Sequence, residues 1–310
     1  MKININTIIL YTLLLTIGAT VRVQAQQEPQ YTQYMYNTMS INPGYTGSAG
    51  TLEAILMHRS QWVGVDGAPQ TQSFNIHTPI ADEKMGLGLT AANDNLGPSN
   101  QVSLEGNFSY TIMTGYNTKI AFGVKAGARM LNIDWSKGRF YDANDVLLNT
   151  NVDNKILPSI GAGAYFYSDK WYVGLSVPSF IKGDYYNDVR ESVITEKLQY
   201  YLIGGYVFNI NDDLLIKPTV LARALSGEPI TVDVSANLLI QNTVTLGLSY
   251  RWDDSVSGLA GFQISNSFFV GYSYDYSVTD FNKYNDGSHE IIIRYQLPQK
   301  STRIKSPRFF

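Results

Sequence analysis

Residues 231–240, TVDVSANLLI, alternate without a break. Val232, Val234, Ala236, Leu238 and Ile240 fall on one side of an extended chain, and Thr231, Asp233, Ser235 and Asn237 on the other. Successive side chains of a strand point to opposite faces, so this pattern specifies a strand with one apolar and one polar face. The same period recurs almost to the end of the chain, leaving little room for helices. In 101–112 the apolar face is Val102, Leu104, Phe108, Tyr110 and Ile112; in 119–130 it is Ile120, Phe122, Val124, Ala126, Ala128 and Met130; in 243–252 it is Val244, Leu246, Leu248, Tyr250 and Trp252.

About fourteen segments read this way, roughly 51–59, 70–78, 85–92, 100–112, 118–133, 157–167, 170–178, 196–209, 213–224, 230–241, 243–252, 255–265, 267–278 and 288–297. Their connections alternate in length. Those after odd segments run long (SQWVGVDGAP, ANDNLGPSN, 134–156, 179–195, VTDFNKYNDG), whereas those after even segments are as short as SD, N or SN. SGEP and DD are short exceptions. Such alternation belongs to an up-and-down antiparallel β-barrel with both termini at its short-turn end.

A soluble sandwich would also alternate, but its outward polar faces would be rich in Lys and Glu. Here charged residues make up only 16% of the chain, and the polar faces carry mainly Gly, Ser, Thr and Asn. The expectation is a transmembrane barrel with its apolar face in lipid. Trp62, Trp135, Trp171, Tyr172, Tyr185, Tyr186, Tyr200, Tyr201, Trp252, Tyr272 and Tyr276 lie near strand ends, as the aromatic girdles of such a barrel require. Fourteen strands enclose more room than their own side chains fill. The charges facing that lumen, Glu105, Lys125, Arg129, Lys217, Arg223, Asp233, Arg251, Asp275, Glu290 and Arg294, are expected to pair across strands or to line a solute path. GLGL (86–89) and GAGAY (161–165) read as strand glycines that let neighbouring strands pack closely.

The N-terminus reads as a signal peptide, 1–25: Lys2, the apolar run IILYTLLLTIGA, then VQA ending at Ala25. The chain has no cysteine, which suits an oxidising compartment and excludes thiolate chemistry and disulfides. Net charge is −3 with no basic cluster in the body, so a nucleic-acid surface is not expected. His58, His77 and His289 have no ligand spacing, the Asn/Asp-rich stretch 142–154 lacks the order of a Ca²⁺ loop, and no GxSxG occurs. No enzyme, cofactor or metal is expected.

After the signal peptide comes QYTQYMYNTMSINPGYTGSAG, and the first strand leaves through HRSQWVGVDGAPQTQSFNIHTPI. Gln33, Tyr34, Met35, Asn37, Asn42, Pro43, Gly44, Tyr45 and Gly47, followed by Arg59, Gln61, Trp62, Gly67, Pro69 and Thr71, resemble the opening of the type IX secretion system membrane proteins of the PorP/SprF family. Gly44 stands where that family commonly has alanine. Asp94 and Gly97 in GLGLTAANDNLGP and the terminal SPRFF are similar to the family as well.

The resemblance implies an outer-membrane barrel of a machine that exports large surface proteins, often adhesins, in bacteria some of which glide. It implies as partners the C-terminal domain of a secreted adhesin, periplasmic and other components of the machine, and outer-membrane lipid. Residues 26–50 are expected in or beneath the lumen as a plug or a periplasmic cap, 51–297 as the barrel, and 298–310 as a basic tail. Candidate partner or lumen residues are Tyr34, Asn37, Asn42, Pro43, Arg59, Gln61, Trp62, Asp94, Arg129, Asp233 and Arg251. Lys300, Arg303, Lys305 and Arg308 are candidates for periplasmic docking. Rival readings are a passive channel or hydrophobic-solute transporter, and a soluble carbohydrate-binding sandwich.

Overall fold

The structure is a computed structural model, and it describes residues 30–137, 151–181, 198–225 and 228–298. The signal peptide, the four basic tail residues, Tyr185, Tyr186 and most of the 142–154 stretch lie outside the described residues. Among the described residues fifteen strands form one sheet that closes on itself. In chain order they are β1 (Glu53–Ser60), β2 (Gln70–Ile80), β3 (Met85–Leu96), β4 (Ser99–Gly115), β5 (Thr118–Ile133), β6 (Val152–Tyr167), β7 (Trp171–Val177), β8 (Gln199–Tyr206), β9 (Phe208–Asn211), β10 (Leu214–Leu225), β11 (Thr231–Ile240), β12 (Val244–Arg251), β13 (Ser255–Gln263), β14 (Phe268–Ser277) and β15 (Ser288–Gln296). Closure comes from β15 pairing antiparallel with β1, Gln296 opposite Glu53 through to His289 opposite Ser60.

The wall has fourteen strands, because β8 and β9 share one register against β10: Gly205 faces Thr219 and Phe208 faces Ile216. Between them Val207 turns its N–H to the Lys170 carbonyl. Pro218 lies in the stretch of β10 opposite this break, where a residue without an amide has no ladder bond to lose.

The two faces of the wall are distributed as lipid requires. Along β11, Asp233, Ser235 and Asn237 are buried inside, while Val234 and Leu238 are exposed outside. Leu104, Phe122 and Leu248 are likewise exposed, and Glu105, Lys125 and Arg251 buried. A sandwich would reverse this by pressing its apolar faces together. Aromatic side chains ring the short-turn end in contacting pairs: Phe166 with Trp171 at 4.7 Å, Tyr206 with Phe208 at 4.4 Å and Phe268 with Tyr295 at 4.8 Å. Tyr200, Tyr250, Trp252, Tyr272 and Tyr276 are exposed toward the other end. Tyr172 and Tyr201 leave the expected girdle: each follows an outward-facing aromatic residue, so strand parity turns it into the lumen, where both are buried.

One expected long connection is short. β3 and β4 are joined by Gly97 and Pro98 alone. The polar residues that suggested a loop belong to strands, and their amides form an outward ladder: Asn93 donates to Gln72 at 2.8 Å, and Asn100 donates to Asn93 at 2.8 Å and to Asn95 at 2.6 Å.

Candidate functional site

The lumen is occupied by the chain's own residues 31–52. This segment begins beside the long-loop ends of β1, β14 and β15, where Thr32 meets Arg59, Asp275 and Glu290. It ends at the short-turn end, where Thr46 meets β4, and then enters β1. It therefore runs the length of the lumen rather than capping one mouth. Its local form follows from its sequence. Thr32 to Tyr36 make a turn, α1 (Thr38–Ile41) is a single helical turn, and a 310 turn covers Pro43–Tyr45. Pro43 opens the 310 turn, where a missing amide is harmless, and Asn42 caps it by accepting from Gly44 N–H at 2.8 Å. Gly47 and Gly50 then adopt positive φ and reverse the chain toward β1.

At the short-turn end the segment sits on glycines. A side chain added at Gly123 would run into the backbone of Pro43 and Gly44, at Gly163 into the Asn42 amide, and at Gly86 into the Thr46 carbonyl. The glycine-rich strands thus clear room for the N-terminal segment as well as for neighbouring strands, the latter at Gly161, where a side chain would meet Val177 and Pro178. Asn42 donates to the Ala164 carbonyl at 3.1 Å, Ser176 to the Ile41 carbonyl at 2.7 Å and Ser109 to the Thr46 carbonyl at 2.6 Å, all neutral, while the Tyr45 hydroxyl donates to the Glu53 carboxylate at 3.3 Å. Tyr45 packs edge-on against Tyr165 at 5.4 Å and His77 at 5.5 Å. His77 in turn lies 3.2 Å from Glu53.

In the middle, Asn75 donates to Asn37 at 2.8 Å, Thr90 to Asn75 at 2.8 Å and Asn107 to Thr90 at 3.0 Å, a relay from the segment across β2, β3 and β4. Tyr34 places its hydroxyl 3.0 Å from Thr219. Burial pushes this phenol up to about 12, so it remains a neutral hydroxyl. The Lys217 ammonium lies 5.3 Å from the Tyr36 ring, a cation over an aromatic face.

At the long-loop end the contacts are ionic. Glu290 accepts from two consecutive backbone amides, Thr32 at 2.9 Å and Gln33 at 2.8 Å, one on each carboxylate oxygen. Asp275 accepts from the Thr32 hydroxyl, and Arg59 bridges Asp275 at 2.6 Å, Glu290 at 3.1 Å and the Thr32 hydroxyl at 3.1 Å. All three charged side chains are almost wholly withdrawn from solvent.

Among the residues singled out from sequence, Tyr34, Asn37, Asn42 and Pro43 are buried in the segment, and Arg59 helps to hold it. Asp233 pairs with Arg251 at 2.6 Å, Arg251 also reaches Asp254 at 3.2 Å, and Arg129 donates to Ser179 at 3.2 Å. Glu105 pairs with Lys125 at 2.6 Å. Asp94 accepts from Thr71 at 2.5 Å. Gln61 and Trp62 lie outside the lumen on the rim: Gln61 N–H bonds the Pro69 carbonyl, and the Trp62 ring meets Phe281 at 5.1 Å. In the sequence Asp275 and Glu290 read as lining charges and not as holders of the segment, and nothing singles out Thr32. Inward strand parity marks the two carboxylates; nothing local marks their partner. Among the described residues no three His, Asp or Glu side chains converge as a metal site.

The arrangement holds a stretch of polypeptide inside the lumen. A family model described as type IX secretion system membrane protein PorP/SprF matches residues 23–295. No curated protein matches the chain. Solved structures similar to it include the CymD monoaromatic hydrocarbon channel (12% identity, 92% of this chain and 96% of that one, TM-score 0.49). The KdgM porin in complex with disordered oligogalacturonate is another (10% identity, 79% and 99%, TM-score 0.37). A third is a mutant of the Rh. blastica porin (12% identity, 80% and 99%, TM-score 0.34).

Proposed function

Because the chain belongs to the type IX secretion system membrane protein family PorP/SprF, we propose that it is the outer-membrane barrel that receives or anchors a large secreted adhesin through that protein's C-terminal domain. The observation that carries this reading is the lumen: a polar lining that already holds a polypeptide from mouth to mouth. A wall built to bind chain suits protein traffic better than solute flow. The outer membrane follows from the architecture, since closed antiparallel barrels with an apolar exterior are the spanning form found there. The chain then works without catalysis, by binding and positioning, and the leading 25 residues serve as its export signal.

Deleting the gene should abolish surface display of one large adhesin while other secreted proteins reach the surface. Affinity capture of the tagged barrel should retain that adhesin's C-terminal domain. Normal display, together with solute flux through the barrel in liposomes, would replace this reading with that of a channel. The tail supplies a second contact: Lys300, Arg303, Lys305 and Arg308 dock on periplasmic components of the machine. Neutralising all four should reduce recovery of those components in pull-downs, and unchanged recovery would remove the tail from the proposal.

A further inference from the structure

We propose that Arg59, Asp275 and Glu290 form a receptor for a polypeptide turn led by a hydroxyl residue, and that Thr32 and Gln33 occupy it in cis until a guest chain takes their place. The inference rests on the reading of the barrel as a receiver of protein, and it names where and by what chemistry the guest is held.

The recognition is built into the geometry. Two consecutive amides that open a turn have no partner inside that turn, and here both point at one carboxylate, an oxygen for each. The Thr32 hydroxyl donates to Asp275 and accepts from Arg59, a donor and an acceptor demand that Ser or Thr meets and an aliphatic side chain does not. Two of these bonds go to main-chain amides, which nearly any residue supplies, and two go to the hydroxyl; the Gln33 side chain adds one more to the Glu290 carbonyl at 3.3 Å, so the receptor insists on the hydroxyl and is tolerant elsewhere.

The cis ligand is also an incomplete one. Among the described residues the Arg59 Nε–H finds no acceptor, and neither does the hydroxyl of Ser273, which stands directly across the ladder from Glu290. Both groups are buried beside the occupied site, where an unmet polar group is costly. A guest whose turn supplies an acceptor to Arg59 and a partner to Ser273 would bind better than the resident residues do. Exchange is therefore downhill for such a guest and requires no break in the wall.

The test uses the full-length barrel in detergent and a fluorescent synthetic peptide copying residues 30–37. In the wild-type barrel the resident segment competes, so the peptide should bind weakly. Thr32→Val in the barrel removes the hydroxyl contacts in cis and leaves the receptor intact. Affinity for the peptide should then rise about tenfold, the change produced by one charge-assisted hydrogen bond of roughly 1.4 kcal/mol. The peptide carrying the same Thr→Val change should lose that gain, as should Glu290→Gln introduced into the Thr32→Val barrel. Heat-modifiable gel mobility reports folding; if Thr32→Val fails to fold, Gln33→Pro, which removes one of the two amides, replaces it. No saturable binding to a folded weakened barrel, or equal binding of the peptide lacking the hydroxyl, overturns the receptor. Either result would leave adhesin display in cells untouched, so loss of this inference is distinguishable from loss of the secretion reading.

Discussion

At the short-turn end of the lumen, residues 42–46 rest on glycines and are held by aromatic packing and by hydrogen bonds that are neutral except for the one from the Tyr45 hydroxyl to the Glu53 carboxylate at 3.3 Å. At the long-loop end, Thr32 and Gln33 are held by three buried charged side chains. The first arrangement is a fit of shapes, and a close-packed fit serves only the chain that made it. The second is a set of directed donors and acceptors that any chain with the right groups can satisfy. One continuous segment is thus fixed at its base and exchangeable at its tip.

The largest expected effect comes from removing the arginine. Arg59→Ala removes the ion-pair partner shared by Asp275 and Glu290 and leaves two buried carboxylates side by side, a change that costs about 3–5 kcal/mol. The loss should fall on one end only: protease should reach residues 31–37 while residues 42–46 stay protected, as peptide mapping would show. Equal exposure of both ends would mean that the segment unfolds as a unit and that the contrast is false.

A change in the wall provides the control. Leu248 is 69% exposed on the outer face. On a protein surface in water Leu248→Arg would be nearly neutral; near the middle of a bilayer it destabilises a barrel by about 2–4 kcal/mol. Urea unfolding in lipid vesicles measures this, and protease mapping of the folded fraction should find both ends of the segment as before.

Gly163→Val attacks the base. Its side chain would enter the space of the Asn42 amide, and overpacking of this kind costs about 1–3 kcal/mol. Residues 42–46 should become accessible first, and single-channel conductance should rise above the wild-type level. An unchanged current would show that the base does not seal the lumen.

The wall was legible in the sequence because lipid contact leaves a period of two on every strand. Tyr172 and Tyr201 read as girdle residues from their places near strand ends, but parity turns them inward: Trp171 and Tyr200 precede them, and neighbours on a strand cannot share a face. Asn93, Asn95 and Asn100 suggested a loop because isolated amides are poor strand residues, and only their mutual hydrogen bonds, formed after pairing, make them good ones. The break at Val207 was hidden for a similar reason, since Pro218 lies on the partner strand. The site was legible in part. The resemblance marked Asn42, Pro43 and Arg59, but the glycines that receive the segment lie some forty to one hundred and twenty residues away, and their role exists only once the barrel has closed.

The smallest effect tests whether the base depends on shape more than on bonds. Asn42→Ala removes the cap on Gly44 and the bond to the Ala164 carbonyl but keeps the backbone where the glycines receive it. Loss of a cap costs about 1 kcal/mol. If shape dominates, residues 42–46 should stay protected and only their amide hydrogen exchange should quicken, by a smaller factor than Gly163→Val produces. Exchange as fast as in Gly163→Val would transfer the hold from the glycines to this one amide. Base and tip would then both be polar attachments, and the difference between them would be one of charge rather than of kind.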